Sequence, residues 1–390
     1  MRNKIVFFSF ITLFLFYTSA CTAISPVKNG EFQHLIDEFR IANHIGAITL
    51  AVSFPGETAP RLFNSGETET GNGIPANIGS LVQIGSLTKS FIAAMILKQE
   101  ERGALSLNDK LGTWLPEYPD WADVSIRQLL NHTSGIYNYT DSEEFRHFLL
   151  ANPDTYLKPD TLIHYAAQNS PYFAPGAGWH YSNTGYVLLG KILEKITRKP
   201  LDILLNDTLH DNLRVPLNNT FFVPHLCSKE IRQRIIHGYY FFSPDQPLDI
   251  TDYSLSWMNS AGGLVSNTYD LTNWIRALFS GKILQPQSFA RLTELVSIQS
   301  GQPLPQVNGV DTTGYGLGIQ ACKTTFANLD TIWWHSGGTA GYKTLMMWLP
   351  NQKIAIAVSF NQVMSGQEAV PLSPDTVLPS AILRLISEHT

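Results

Sequence analysis

The chain has 390 residues, 44% hydrophobic and 15% charged, with 27 Lys plus Arg against 32 Asp plus Glu and a net charge of -5. That composition excludes a disordered chain and supplies a sizeable core, and the acidic balance excludes a general attraction to nucleic-acid phosphates. Three cysteines are too few for a disulfide framework, and eleven histidines contain neither His-Glu-x-x-His nor an i,i+4 pair, which removes the usual sequence support for a metal enzyme.

At the N-terminus, Arg2 and Lys4 precede a mostly apolar run from Ile5 to Tyr17, and small residues follow. These are the three parts of a secretory leader, expected to cover residues 1–23 with cleavage after Ala20 or Ala23. The run is short for a membrane-spanning helix, which needs about 20 apolar residues; an uncleaved anchor is the alternative. Thr18-Ser19-Ala20-Cys21 resembles a bacterial lipoprotein processing site, with Cys21 as the lipid-bearing residue, although Thr18 stands where a larger aliphatic side chain is usual. The expectation is export to the periplasm or cell envelope, with any membrane attachment made through a lipid on Cys21. In such an oxidising compartment Cys227 and Cys322 can pair if they meet.

Residues 24–30 read as a linker, and 31–43 as a helix with Phe32, Leu35, Ile36 and Phe39 on one face. Ile48, Leu50, Val52 and Phe54 alternate with Thr49, Ala51 and Ser53, which predicts a strand ended by Pro55-Gly56. A second strand is expected near Arg61–Ser65. From Ser86 to Arg102 the pattern is helical and its first turns are apolar nearly all round, the mark of a helix buried in a large protein. Leu188, Ile192 and Ile196 predict an amphipathic helix closed by Pro200. A further helix is expected over Tyr269–Phe279, with Thr268 as candidate cap and Gly281 after it. Strands return at Ile332–Ser336, Thr344–Leu349 and Ile354–Phe360, the last two joined by a turn at Pro350-Asn351, and a helix over Ser380–Glu388 ends the chain.

Strands at both ends and helices between predict an α+β fold in which antiparallel strands from the two ends of the chain share one sheet. The expected division is a sheet part over 31–85 and 265–390 and a mostly helical insertion over 86–264, all within one unit spanning 24–390.

Three motifs carry chemistry. In Ser86-Leu87-Thr88-Lys89 the i,i+3 spacing puts the hydroxyl and the amine on one helix face. A serine is a poor nucleophile until a base takes its proton, and a lysine is that base only when burial lowers its pKa. Next, Tyr181-Ser182-Asn183 follows the Gly-rich stretch Pro175–Trp179 and opens a helix, a placement that presents Tyr181 and Asn183 at a cleft. Third, in His335-Ser336-Gly337-Gly338 alternation points His335 and Gly337 the same way, Gly337 leaves room for a substrate backbone, and the N–H of Gly338 can face that of Ser86 to make an oxyanion hole. Each motif alone has a structural reading: a serine cap with a solvated lysine, a packed tyrosine beside a capping asparagine, and a glycine turn after an edge strand.

In this order, the three motifs resemble the serine β-lactamase and penicillin-binding superfamily, in the branch that holds class C β-lactamases, certain D-Ala-D-Ala carboxypeptidases, D-aminopeptidases and related esterases. The segments Leu107–Leu111, Ile126–Gly135 and Ala261–Ser266 are similar to recurring text of that branch, and the resemblance covers roughly residues 30–390. It implies a β-lactamase/transpeptidase-like fold, an antiparallel sheet flanked by helices. It also implies Ser86 as the acylated nucleophile, Lys89 and Tyr181 as its proton handlers, Asn183 and His335 as substrate-binding residues, and the N–H groups of Ser86 and Gly338 on the oxyanion. No cofactor and no metal are implied, and the partner would be a small molecule or short peptide. The third motif departs from the β-lactamase form, which usually has Lys where His335 stands; histidine there is similar to some D-Ala-D-Ala carboxypeptidases and D-aminopeptidases. No glutamate of the kind class A enzymes use for deacylation stands out. The expected activity is therefore a peptidase of that kind or an esterase, with a β-lactamase or a non-catalytic binding protein on the same fold as alternatives.

Overall fold

The alternation from Ile48 to Ser53 becomes strand β1 (Ala47–Ser53) in the computed structural model, which describes residues 27–212, 215, 217–223, 228–243, 245–326, 328–366 and 372–389. The leader, Cys21 and Cys227 lie outside the described residues; Cys322 is buried and in no disulfide among them. The chain turns at Pro55-Gly56 and pairs back as β2 (Arg61–Gly66), antiparallel to β1. The rest of the sheet comes from the C-terminal part: β3 (Leu295–Ser297), β4 (Pro303–Leu304), β5 (Thr313–Tyr315), β6 (Gln320–Lys323), β7 (Thr331–Gly338), β8 (Lys343–Leu349) and β9 (Ile354–Phe360). Their spatial order is β2-β1-β9-β8-β7-β6-β5-β3-β4, and each neighbouring pair is antiparallel. Val52 faces Ile356 and Leu50 faces Val358 across the β1–β9 ladder, which closes the N-terminal strand onto the C-terminal hairpin.

Both faces of this sheet are covered. Helix α1 (Asn29–Ala42) lays Phe32 and Ile36 against the outer face, and the C-terminal helix adds Ile382, Leu383 and Ile386. That terminal helix starts earlier than the apolar pattern suggests, at Val377. The inner face meets helix α4 (Thr268–Phe279), and beyond it helix α2 (Thr88–Glu101) packs against helix α3 (Asn183–Thr197). α2 is buried from Thr88 to Leu97, as its all-round apolar sequence requires, and Phe91 stacks on Trp274 of α4 with ring centroids 4.0 Å apart. α4 crosses the inner face where β1 and β9 carry small side chains; Arg276 reaches Ser53 Oγ at 2.7 Å.

Two local expectations need correction. The cap of α4 is Asn267, not Thr268: Asn267 has extended backbone and its side chain accepts from the Asp270 N–H at 2.8 Å, while Thr268 is already helical. And the helical run does not begin as α-helix at Ser86; residues 85–87 form one 3₁₀ turn that leads into α2. Segment 86–264 also carries short strands. Leu264–Ser266 pairs with Val82–Gln83 and Phe221–Phe222, fastening the chain just before Ser86. Among the described residues no helix is long and apolar enough to cross a membrane.

Candidate active site

The Ser86 turn is held from three directions. Gly85 enters it at φ +50°, a conformation open to glycine at little cost. The Thr88 hydroxyl donates to the Gly85 carbonyl at 2.7 Å and accepts from the Leu264 N–H at 3.2 Å. Thr344 of β8 donates to the Ile84 carbonyl at 3.0 Å. Ser86 is left half-buried at the head of α2 with its hydroxyl beside Lys89.

Lys89 is fully buried, and its Nζ has three oxygen neighbours: Ser86 Oγ at 3.1 Å, Asn183 Oδ1 at 2.7 Å and the Ala261 carbonyl at 2.8 Å. Two of these can only accept, so they take two N–H groups. The third is a hydroxyl, which can also donate. The Ser86 hydroxyl can accept a third N–H from an ammonium or donate to the lone pair of a neutral amine. Burial drives the Lys89 pKa well below the ordinary lysine value, and no carboxylate is among those three partners. Nζ also lies 4.7 Å from the centroid of the Tyr181 ring.

Tyr181 and Asn183 arrive together at the start of α3. The Asn183 N–H donates to Asn138 Oδ1 at 3.0 Å and its side-chain amide donates to Thr140 at 3.2 Å, which fixes Oδ1 toward Lys89. Burial raises the Tyr181 phenol well above its ordinary value, and a hydrogen bond with Ser86 pulls it part of the way back. Ser86, Lys89, Tyr181 and Asn183 therefore share one centre.

β7 flanks it. Thr339 N–H donates to the Tyr342 carbonyl at 3.0 Å. By the alternation of an antiparallel ladder, the Gly338 N–H then points away from β8, and β6 has ended at Gln320, opposite Trp334. Gly338 backbone lies against Gly85: a Cβ on Gly85 would sit 2.7 Å from Gly338 N. The N–H groups of Ser86 and Gly338 thus belong to two segments in contact.

Gly337 has a different role from the one its sequence suggests. A Cβ there would lie 1.8 Å from the Ile84 carbonyl oxygen and 2.8 Å from Thr344 Oγ1. Its missing side chain makes room for the nucleophile turn, not for a substrate. His335 also differs from expectation. It is 1% exposed, its Nδ1 lies 2.6 Å from the Ser336 carbonyl and its Nε2 lies 3.0 Å from the Tyr315 hydroxyl. Burial first, then repulsion from Lys89, pushes the imidazole down to about 3, so it is neutral at neutral pH rather than partly charged.

Sequence reading missed three participants. The Ala261 carbonyl is presented by a turn that Ser260 ties to α3 through a 2.8 Å bond to the Tyr186 carbonyl. His132, at φ +66°, accepts the Ser182 N–H on Nδ1 at 3.2 Å and lays its ring 4.3 Å from that of Tyr181. Tyr315 holds His335 and lies 4.6 Å from the His132 ring. The available signals were the segments Ile126–Gly135, which includes His132, and Ala261–Ser266, which begins with Ala261. Among the described residues no group of three or more His, Cys, Asp or Glu side chains is arranged to hold a metal ion.

Residues 32–375 match the family model described as beta-lactamase. The chain is 31% identical to penicillin-binding protein 4* of Bacillus subtilis over 73% of its own length, and it spans 62% of that relative, under two thirds. It is 26% identical to the D-alanyl-D-alanine-carboxypeptidase/endopeptidase AmpH of Escherichia coli over 86% of each chain. Among solved structures, a D-stereospecific amidohydrolase from Streptomyces sp. superposes with a TM-score of 0.74 at 25% identity, over 89% of this chain and all of that one.

Proposed function

The chain belongs to the beta-lactamase family of serine hydrolases, and on that premise we propose that it forms an acyl-enzyme on Ser86 from short peptides, amides or esters whose acyl part is of D-amino-acid type. The observation that carries this reading is the buried Lys89 amine 3.1 Å from Ser86 Oγ, its pKa driven down by burial. In the first step Ser86 Oγ bonds to the substrate carbonyl carbon as its proton passes to Lys89. The carbonyl oxygen takes up the displaced electron pair and is met by the N–H groups of Ser86 and Gly338. Collapse of this intermediate breaks the bond to the leaving nitrogen or oxygen, which leaves with a proton relayed through Tyr181. Water then adds to the Ser86 ester, gives up a proton to the same pair, and releases the acid and the serine hydroxyl. Asn183 holds Lys89 in line through Oδ1, with its own amide anchored on Thr140. The names of the carboxypeptidase and amidohydrolase relatives support the D-configured acyl class.

The test is covalent labelling with a fluorophosphonate and with a fluorescent penicillin, read by mass spectrometry on the Ser86 peptide. The expected result is an adduct on Ser86 with at least the fluorophosphonate, none in Ser86→Ala, and a labelling rate lowered by roughly 10³-fold or more in Lys89→Met. Folded protein that reacts with neither probe, or Lys89→Met labelled at the parental rate, overturns the assignment.

A further inference from the structure

Toward its C-terminal end, away from Ser86, α2 lines a cavity of about 570 Å³ that the end of α3, the helix Leu201–Asp207 and α4 complete. That volume falls in the range of roughly 300–1,000 Å³ that small-molecule sites occupy. Its floor is apolar: Phe91, Met95, Leu204, Leu209, Trp274 and Ile283 line it, and all six are buried. The floor is also fixed in place. Phe91 and Trp274 stack with centroids 4.0 Å apart, and the Trp274 indole N–H donates to Ser90 Oγ at 3.0 Å.

The rim has a different character. Lys98, Arg102 and Lys199 stand there with one carboxylate, Asp207, in a chain whose net charge is -5. Arg102 and Lys199 are exposed and Lys98 is half-buried. Lys199 bonds Asp207 at 2.9 Å and Lys98 reaches Glu101 at 3.5 Å, surface pairs that cost little to exchange for another anion. The Arg102 guanidinium has no side-chain partner among the described residues, and its planar fork matches a carboxylate.

The change from floor to rim runs along one stripe of sequence. Phe91, Met95, Lys98 and Arg102 follow each other at spacings of four, three and four, so they share a helix face that is apolar at one end and cationic at the other. Eleven residues of helix make that stripe about 16 Å long. An extended chain of about twelve carbons, with bonds of about 1.5 Å at about 111°, has the same length. Water finds few partners on such a floor, whereas an alkyl chain with an anionic head is matched at both ends.

We propose that this cavity is a second binding site, for a single-chain amphiphile of the long-chain carboxylate class. The alkyl chain lies along Phe91, Met95 and Trp274, and the carboxylate meets Arg102 and Lys199. The site is built from residues outside the Ser86 machinery, and it stands whether or not the acyl-serine reading does.

The test is calorimetric titration of the folded chain with monomeric dodecanoate. The expected result is one-to-one binding with a Kd of about 10⁻⁵ M. Dodecyltrimethylammonium, which keeps the chain and reverses the head, should bind about tenfold or more weaker. Arg102→Glu and Lys199→Glu should each weaken dodecanoate by about fivefold or more; both positions are exposed, and circular dichroism checks that these variants fold. Ile196→Trp, on the half-buried wall of the cavity, should fill it and remove binding. No binding up to about 1 mM dodecanoate overturns the proposal. So does equal affinity for dodecyltrimethylammonium, or an affinity that both charge reversals leave unchanged, and neither result depends on Ile196→Trp being folded. Undiminished binding to folded Ile196→Trp overturns it as well, because the chain then lies elsewhere, the Ser86 cleft included. Sedimentation with phosphatidylglycerol vesicles in the absence of any binding to monomeric dodecanoate would assign the cations to a membrane surface and overturn it too.

Discussion

On the outer face of the central sheet Ile48, Leu50, Val52, Leu345, Met347, Leu349, Ile354, Ile356 and Val358 form an apolar layer with α1 and the C-terminal helix. On the inner face the alternate residues of the same strands are Ala47, Thr49, Ala51, Ser53, Thr344, Met346, Trp348, Ala355, Ala357 and Ser359, buried too and, on β1 and β9, all small. Their polar atoms are matched one to one: Thr49 with Ser359 at 2.8 Å, Ser53 with Arg276, Thr344 with the Ile84 carbonyl. The outer layer is stabilised by area removed from water, which any side chain of similar volume supplies. The inner layer depends on particular partners, because a buried polar atom that loses its partner costs its full desolvation. Small inner side chains on β1 and β9 let α4 approach closely, and α4 in turn holds α2, the helix that follows Ser86, through the Phe91–Trp274 stack. One face specifies that the sheet folds, and the other specifies what it holds.

The sharpest way to break that contrast is Gly85→Ala. The new Cβ would lie 2.6–2.7 Å from Gly338 O and N, at a backbone φ of +50°. One methyl group on the inner side should therefore separate the two N–H donors and slow Ser86 labelling by roughly 10²–10³-fold, the cost of losing an oxyanion donor. Labelling kinetics normalised to folded protein by circular dichroism measure it; a loss under about tenfold means that the two segments are not held in register by this contact.

A smaller effect sharpens the contrast through pH. His335 titrates near 3 in the folded protein against an ordinary 6.5, chiefly through burial. Between those values the unfolded chain carries a proton on this ring and the native chain does not. Unfolding therefore takes up a proton, and the inner face loses stability as pH falls from about 6.5 to about 3. His132, also pushed down by burial, adds in the same direction. The acid-side slope of the urea midpoint should be shallower in His335→Gln than in wild type. Equal slopes would mean that the ring is not closed off from solvent.

Much of the outer face was legible in the sequence. β1, β8 and β9 are each seven residues long, enough for alternation to declare itself, and α2 advertised its burial by having no polar side. The i,i+3 spacing of Ser86 and Lys89 was legible for the same reason: both ends of the contact lie within one turn. β3, β4, β5 and β6 have two to four residues each, too few for a period, and they went unread. The rest of the site is non-local. The Ala261 carbonyl is a backbone atom with no side-chain signature, and Tyr315 acquires its role only by packing against His335. Gly337 was misread because the atom that fills its missing side chain belongs to Ile84, on a different segment. Its true constraint appears only when the two segments are brought together.

The least disruptive probe is Ile356→Val, one methylene removed from the middle of the outer layer. Ile356 is fully buried and faces Val52 on one side and Met347 on the other. Deleting that methylene should cost about 0.5–1.5 kcal/mol in urea unfolding, because the lost contacts are only partly regained by relaxation. Ala357, next along the strand, points the opposite way toward α4, so the cavity opens away from Ser86. The labelling rate of Ser86 should accordingly stay within about twofold of wild type. A rate that fell together with stability would show the two faces to be mechanically coupled through β9, and the division between a layer for folding and a layer for chemistry would have to be given up.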